Sequence, residues 1–205
     1  MLLKNHSMKI VSFLIIFFVA INLNAQHLSD YYSNKKEISG NGYIYTINKD
    51  KYSDYLIIQR KNNVKSNLPW YYKGTTEYAD VRWAMYAIPI DNMIIYNIFK
   101  EVFTEAEINS MKKEEMNYYK NTFPKIDIPL VLHFDIHTIV ALTGEVEEVV
   151  FSFKAIQPYV NIHPDKLYSL ENKIKERISF KILDILKDRF NYIKAETLKI
   201  NIDNL

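Results

Sequence analysis

Cysteine is absent from the 205 residues of the chain, and this absence excludes disulfide bonds, thiol catalysis and lipoprotein anchoring through a cysteine. Glycine is scarce, with four residues, and the chain has no low-complexity tract, so the composition argues against disorder. The chain also lacks the G-x-S-x-G, H-E-x-x-H, P-loop and Rossmann fingerprints. These absences leave no motif from which an enzyme mechanism can be built.

The N-terminal segment has the layout of a secretory signal peptide. Lys4 and Lys9 precede an apolar run, Ile10–Ile21. Small or apolar residues follow at Leu23-Asn24-Ala25, directly before Gln26. The apolar run is shorter than the roughly 20 residues that span a bilayer as a helix. We therefore predict that residues 1–25 are a cleaved signal peptide and that the protein is exported, to the periplasm or beyond the cell; an uncleaved membrane anchor is the alternative.

Charge is balanced in the rest of the chain. Lys4 and Lys9 are the only Lys, Arg, Asp or Glu residues before residue 26, so the remainder carries 24 basic and 24 acidic side chains. A nucleic-acid partner calls for a basic footprint, which this composition does not provide. No later apolar run is long enough to cross a membrane. We expect no nucleic-acid partner, no cofactor and no transmembrane span once the signal has been removed.

A hairpin at Ile128–Lys154 is the most strongly patterned stretch of the chain. Its first strand alternates apolar and mostly polar side chains, which predicts one core face and one face toward water or a partner. Gly144 supplies the turn, where a positive φ is expected. The second strand has a step of three from Val146 to Val149, so we predict a β-bulge near Glu147-Glu148. With that bulge, the second strand directs four apolar residues to the core: Val146, Val149, Phe151 and Phe153.

The remaining patterns divide the chain into a β-rich part at 26–90, a helical insert at 91–121 and a β-β-α-β part at 122–205. Asp91 is a candidate N-cap for the first helix of the insert. Thr104 and Glu107 match a capping box, which places a joint between two helices at Phe103-Thr104. Pro164 fits the first position of a later helix. The predicted fold class is α+β, a mostly antiparallel sheet with a helical insert in the middle and a β-β-α-β C-terminal half, forming one compact domain.

The C-terminal order, with F-x-[ID]…T-G-E-V-x-x-V-x-F before the helix, resembles the C-terminal domain of TonB-type energy transducers. The resemblance covers Ile128–Ile202 and is carried by Phe134, Gly144, Val146, Val149 and Phe151. It implies that a receptor segment adds to an edge of the sheet. The chain lacks that family's retained membrane anchor and Pro-rich spacer, so edge-strand pairing, and not energy transduction, is what we expect to be shared.

The chain as a whole resembles the uncharacterised secreted families that are common in Bacteroidota. The features that carry this resemblance are a signal ending in Ala25-Gln26, a tyrosine-rich first half and the joint at Val102-Phe103-Thr104. Such families have no assigned activity. The resemblance therefore implies export, and it assigns no substrate.

Histidine and aspartate alternate on the polar face of the first hairpin strand. His133, Asp135 and His137 share that face, with neighbours about 6.6–7 Å apart along the strand. One histidine and Asp135 could share a metal ion with ligands from an adjoining strand. The two histidines are too far apart to bind one ion, because metal–nitrogen bonds are about 2 Å long. A metal site is one interpretation of the pattern, and a solvated sheet face is the other.

Aromatic residues are dense between 70 and 86. Exposed aromatic side chains bind sugars or protein partners, and a large exposed apolar patch marks a binding surface. Burial in the core is the alternative interpretation. The candidate binding residues are Trp70, Tyr71, Tyr72 and Trp83.

Two functional hypotheses follow from these patterns. The first is an exported, non-enzymatic binding or assembly protein that engages an envelope protein partner or a glycan through a sheet edge or the aromatic residues. The second is a carbohydrate-active or metal-dependent hydrolase of the envelope.

Overall fold

The computed structural model describes residues 30–32, 34–122 and 130–205. The predicted signal peptide therefore lies outside the described residues, and residues 31–205 form one compact unit. No helix within the described ranges is both long and apolar enough to cross a membrane.

The strands are β1 Glu37–Gly40, β2 Tyr43–Lys49, β3 Tyr55–Arg60, β4 Ala87–Pro89, β5 Val131–Val140, β6 Val146–Lys154, β7 Phe180–Ile182, β8 Ile193–Lys194 and β9 Leu198–Asn201. The α-helices are α1 Ile94–Val102, α2 Glu105–Thr122, α3 Pro164–Arg177 and α4 Asp184–Arg189, and 3₁₀ turns lie at Lys65–Asn67, Val81–Tyr86, Tyr159–Asn161 and Ile202–Asn204.

Seven strands form one antiparallel sheet in the order β1-β2-β3-β6-β5-β8, and β9 pairs with β5 on the same side as β8. Strands β4 and β7 form a separate two-stranded sheet. Two helices, α1 and α2, lie in the middle of the chain, and α3 follows the β5–β6 hairpin. The predicted α+β class is confirmed.

The β5–β6 hairpin has the register that the sequence pattern predicts. Phe134 pairs with Phe153, and the pairing then continues without interruption to Ile139 and Glu148. Val140 next pairs with Val146, which leaves Glu147 as an extra residue on β6. This irregularity is the predicted β-bulge. Because of it, all four predicted apolar residues of β6 are buried.

Helices α1 and α3 cover one face of the sheet, and the core lies between these helices and the sheet. Phe134 is at the centre of this layer, with its ring 5.6 Å from that of Phe153 and 5.9 Å from that of Phe99 in α1. Helix α3 contributes an apolar stripe to the same core, formed by Leu167, Leu170 and Ile174. These residues are spaced by three and four positions, which is the helical period that the sequence indicates.

The opposite face of the sheet, here called the outer face, carries the alternate side chains of the same strands. Strand register places Ile57 beside Ser152 and Ser152 beside Asp135 in one row. The next row joins Gln59, Val150 and His137. This face differs from the core face in carrying mostly polar groups.

The helical insert has its predicted joint. Thr104 Oγ1 and Glu107 Oε2 lie 2.8 Å apart, and Glu107 Oε2 also accepts from the Thr104 backbone N–H at 2.8 Å, as in a capping box. The start of α1 differs from the prediction, because the helix begins at Ile94 with Met93 at the N-cap position. Asp91 Oδ1 instead accepts a bond from the Met93 backbone N–H at 2.8 Å, so it stabilises the turn that precedes the helix.

Candidate functional site

The alternation of β5 places His133, Asp135 and His137 on the outer face, and each of them has different neighbours. His133 contacts Glu115 of α2, whereas His137 Nδ1 lies 3.0 Å from Thr197 Oγ1. Within the described ranges, no three His, Cys, Asp or Glu side chains are grouped closely enough to hold a metal ion. Metal binding by these residues stays a prediction, since it would need a ligand set completed by other atoms.

Glu115 of α2 is buried beside His133, with 1% of its surface exposed, and the sequence gave no reason to single it out. It accepts a bond from the His133 backbone N–H at 2.7 Å and also contacts His133 Nδ1 and the Tyr159 hydroxyl. Tyr118 packs edge-on against the His133 ring, with centroids 4.6 Å apart. The carboxylate therefore joins α2 to β5 and to the 3₁₀ turn that begins at Tyr159. A glutamate within the polar sequence of α2 gives no signal of this role, because only the tertiary structure buries it.

Burial of His137 predicts that the free energy of unfolding depends on pH. Burial lowers the pKa of its imidazole below the ordinary 6.5, against a smaller opposing effect of Asp135 and with a further contribution from Lys199. A lowered folded-state pKa means that the unfolded chain binds the proton more readily. We therefore expect the free energy of unfolding to fall as the pH falls below 6.5 toward the folded-state pKa.

The measurement is chemical denaturation of the wild type and His137→Gln across this pH range. The variant should lose less stability on acidification than the wild type does. An imidazole that titrates at or above 6.5 in the folded protein, observed by NMR, would contradict the prediction.

Three of the four candidate aromatic residues converge on one buried ring. Trp70 lies 4.8 Å from Phe190, Tyr72 stacks on it at 5.3 Å, and Trp83 meets its edge at 6.2 Å between ring centroids. The Trp70 indole N–H donates to the Tyr192 carbonyl at 3.0 Å, and Trp70 is itself buried. The Trp83 indole N–H donates to the Tyr72 hydroxyl at 2.9 Å. Much of the surface of these three side chains is therefore buried in contacts within the protein.

Tyr71 points away from that cluster and pairs with Tyr78, with ring centroids 4.9 Å apart. Tyr71 is half-buried and Tyr78 is exposed. A binding role for the four candidate aromatic residues stays a prediction. Among the four candidates, solvent reaches the half-buried side chains of Tyr71, Tyr72 and Trp83.

An exposed apolar segment follows the aromatic residues and was not predicted as a site. Ile88 in β4 is 48% exposed, and Ile90, which directly follows β4, is 69% exposed. Other large apolar residues of the same segment are also exposed: Val81, Met85, Tyr86 and Met93. Exposed large apolar side chains that are concentrated in one segment are typical of an interaction site.

A groove of about 390 Å³ lies beside this segment, between β4 and β9. β4 pairs with β7 along one edge, and β9 pairs with β5 along one edge. Among the described strands, no other one pairs with either of them. The groove is lined by apolar and charged side chains, including Ile88, Ile95, Ile178, Leu198, Asp91, Glu196 and Lys199. We call it the β4–β9 groove.

A scan against protein-family models matches none, and a search of the curated proteins also finds no match. Among solved structures, the chain is similar to the crystal structure of a DUF5043 family protein from Bacteroides uniformis. The two share 23% sequence identity with a TM-score of 0.59, over 80% of this chain and 88% of that one. At this identity the likeness shows the fold.

This likeness is consistent with the resemblance to uncharacterised Bacteroidota proteins that the sequence indicates. The resemblance to TonB-type C-terminal domains is not confirmed by it. The hydrolase hypothesis gains no support from these comparisons.

Proposed function

We propose that the protein is exported and acts as a non-enzymatic binding protein, which holds an extended segment of an envelope protein in the β4–β9 groove. The observation that carries the proposal is the exposed apolar segment around Ile88 and Ile90, next to two strands that are each paired along one edge. An extended partner can add to such an edge through main-chain hydrogen bonds. Its alternate side chains then enter the pockets beside the edge.

The side chains of the groove favour a partner with alternating apolar and polar residues. Ile178 and Leu198 offer apolar contacts, while Asp91, Glu196 and Lys199 place charges of both signs along the groove. Apolar contacts at the centre and charges at the rim are the usual arrangement of a protein interface. Charges of both signs also give the partner a preferred direction and register.

The test is capture of a partner by the tagged protein from an envelope extract of its native host, with and without the double substitution Met85→Glu and Ile88→Glu, at two exposed residues that line the groove. Ile185→Glu in α4 is the matched control, since Ile185 is 47% exposed and lies outside the groove. We expect the double variant to retain at most about a tenth of the captured partner, because charges would be buried in an apolar contact. The control should capture as much as the wild type.

Equal capture by the double variant and the wild type would refute the groove as the binding surface. Export is tested separately by N-terminal sequencing of the protein recovered from the envelope. We expect the sequence to begin at Gln26, and a chain that retains residues 1–25 would contradict cleavage.

A further inference from the structure

A second groove lies on the outer face of the sheet and has a volume of about 430 Å³. It is bounded by Ser66 and Asn67 on one side and by Lys194 and Ala195 on the other. Its size falls within the roughly 300–1,000 Å³ of known ligand pockets. We call it the outer-face groove, and none of the described residues lines both this groove and the β4–β9 groove.

The floor of the outer-face groove combines apolar and polar groups. Ile57, Ile139 and Val150 provide apolar surface. Gln59, His137 and Ser152 stand between them on neighbouring strands. An apolar floor with a few fixed polar groups is the usual composition of a small-molecule site, because the apolar part provides affinity and the polar groups provide orientation.

The amide groups of the groove are held in place by a chain of hydrogen bonds. Gln59 is 6% exposed, its Nε2 donates to Asn67 Oδ1 at 2.7 Å, and its Oε1 accepts from Ser66 Oγ at 3.2 Å. Asn67 Nδ2 in turn donates to the Asn63 carbonyl at 3.0 Å. Each amide nitrogen carries two hydrogens, so each of the two side chains has one amide hydrogen that these bonds do not use.

Two further polar atoms of the groove are unused within the described part of the chain. Thr138, which also lines the groove, is 1% exposed, and its hydroxyl oxygen is buried without a hydrogen-bond partner among the described residues. His137 uses Nδ1 toward Thr197, and its Nε2 has no partner among them. A nearly buried hydroxyl without a partner is costly unless a ligand or water satisfies it.

The charges around the groove do not favour a strongly ionic ligand. Among the described residues that line it, none carries a carboxylate, and Lys194 carries the one ammonium group. That ammonium already donates to the carbonyls of Ser66 and Leu68, at 3.1 and 2.8 Å. Apart from this ammonium, the described side chains that line the groove are apolar groups or donors and acceptors that are uncharged at neutral pH.

We infer that the outer-face groove binds a neutral, polyhydroxylated ligand, one or two sugar units of a glycan. Amide and hydroxyl groups match the alternating donors and acceptors of sugar hydroxyls. The C–H faces of the sugar ring contact the apolar floor. This ligand site is independent of the protein partner proposed above, because the two grooves have separate linings.

The test is NMR titration of isotope-labelled protein with cellobiose, maltose and N,N′-diacetylchitobiose, up to millimolar concentrations. At least one of the three should shift the signals of Gln59, Asn67 and His137, without shifts around Ile88. The absence of saturable shifts with all three disaccharides would overturn the inference. Saturable shifts that map outside the outer-face groove would overturn it as well.

A pair of leucine substitutions separates ligand binding from folding. Ser152→Leu fills the groove, and Ser110→Leu is its control on the exposed surface of α2. We expect Ser152→Leu to weaken binding of the active disaccharide by at least about tenfold, while Ser110→Leu leaves it unchanged. Wild-type affinity in a folded Ser152→Leu variant would contradict the site. If Ser152→Leu does not fold, the positions of the chemical-shift changes in the wild-type protein decide whether the disaccharide binds in the outer-face groove.

Discussion

Replacing Glu171 by alanine should lower the free energy of unfolding by about 3 kcal/mol, the lower end of the range for breaking a buried ion pair. Glu171 is fully buried in α3, and it accepts bonds from Arg60 Nε at 2.8 Å and from the Tyr45 hydroxyl at 2.5 Å. Its other oxygen accepts from Lys175 at 2.7 Å. Without the carboxylate, Arg60 is left as a largely buried charge. We expect the lower end of that free-energy range because the Arg60 side chain is still 16% exposed and can be partly hydrated.

Glu101→Ala is the matched control for this prediction. Glu101 also bonds two cations, Lys173 and Arg177, each at 2.7 Å, but its carboxylate lies at the surface. Water replaces such partners readily, so we expect little change in stability. The measurement is chemical denaturation of both variants, and equal unfolding midpoints for the two would show that the Glu171 network does not stabilise the fold.

Replacing Gly144 by alanine should be about as damaging, for two separate reasons. The residue has φ of +99°, where a side chain costs about 1–3 kcal/mol of backbone strain. A Cβ at this position would also lie 2.2 Å from the Phe180 carbonyl oxygen, a contact that forces backbone movement. That oxygen belongs to β7, whose Phe180 N–H donates to the Gly144 carbonyl at 2.8 Å. Overpacking of this kind adds roughly 1–3 kcal/mol.

Gly74→Ala isolates the strain from the clash. Gly74 also has a positive φ, +72°, but no atom of the described residues lies within 4 Å of the Cβ that alanine would add. Gly144→Ala should therefore lower the thermal midpoint clearly more than Gly74→Ala does. Similar losses in the two variants would show that the close approach of Phe180 has no energetic consequence.

Local sequence signals predicted the parts of the fold that depend on neighbouring residues. The capping box at Thr104 and Glu107 requires a spacing of three within one helix turn, so the sequence alone could place it. The bulge at Glu147 could be predicted because a step of three interrupts an alternation of two. The N-cap at Asp91 was wrong because the same side-chain bond also stabilises a turn before the helix.

The candidate sites could be predicted only in part. The alternation of β5 placed His133, Asp135 and His137 on one face, and the structure agrees with that placement. The chain gave no indication that Gln59, Asn67 and Ser152 would join His137 around one groove. Nor did it indicate that the exposed segment at Ile88 would lie beside β9. These groupings join residues from distant parts of the chain.

The α+β class, the central hairpin with its bulge and the helix joint could all be predicted without a structure, because each is encoded by periodicity or by a short motif. Tertiary structure alone decided which charges are buried and which edges and faces of the sheet stay open. Glu171 meets Arg60 across 111 residues and Tyr45 across 126, distances over which no local pattern acts. Burial and grooves are properties of how elements pack, so they exist only once the strands have paired and the helices have covered one face.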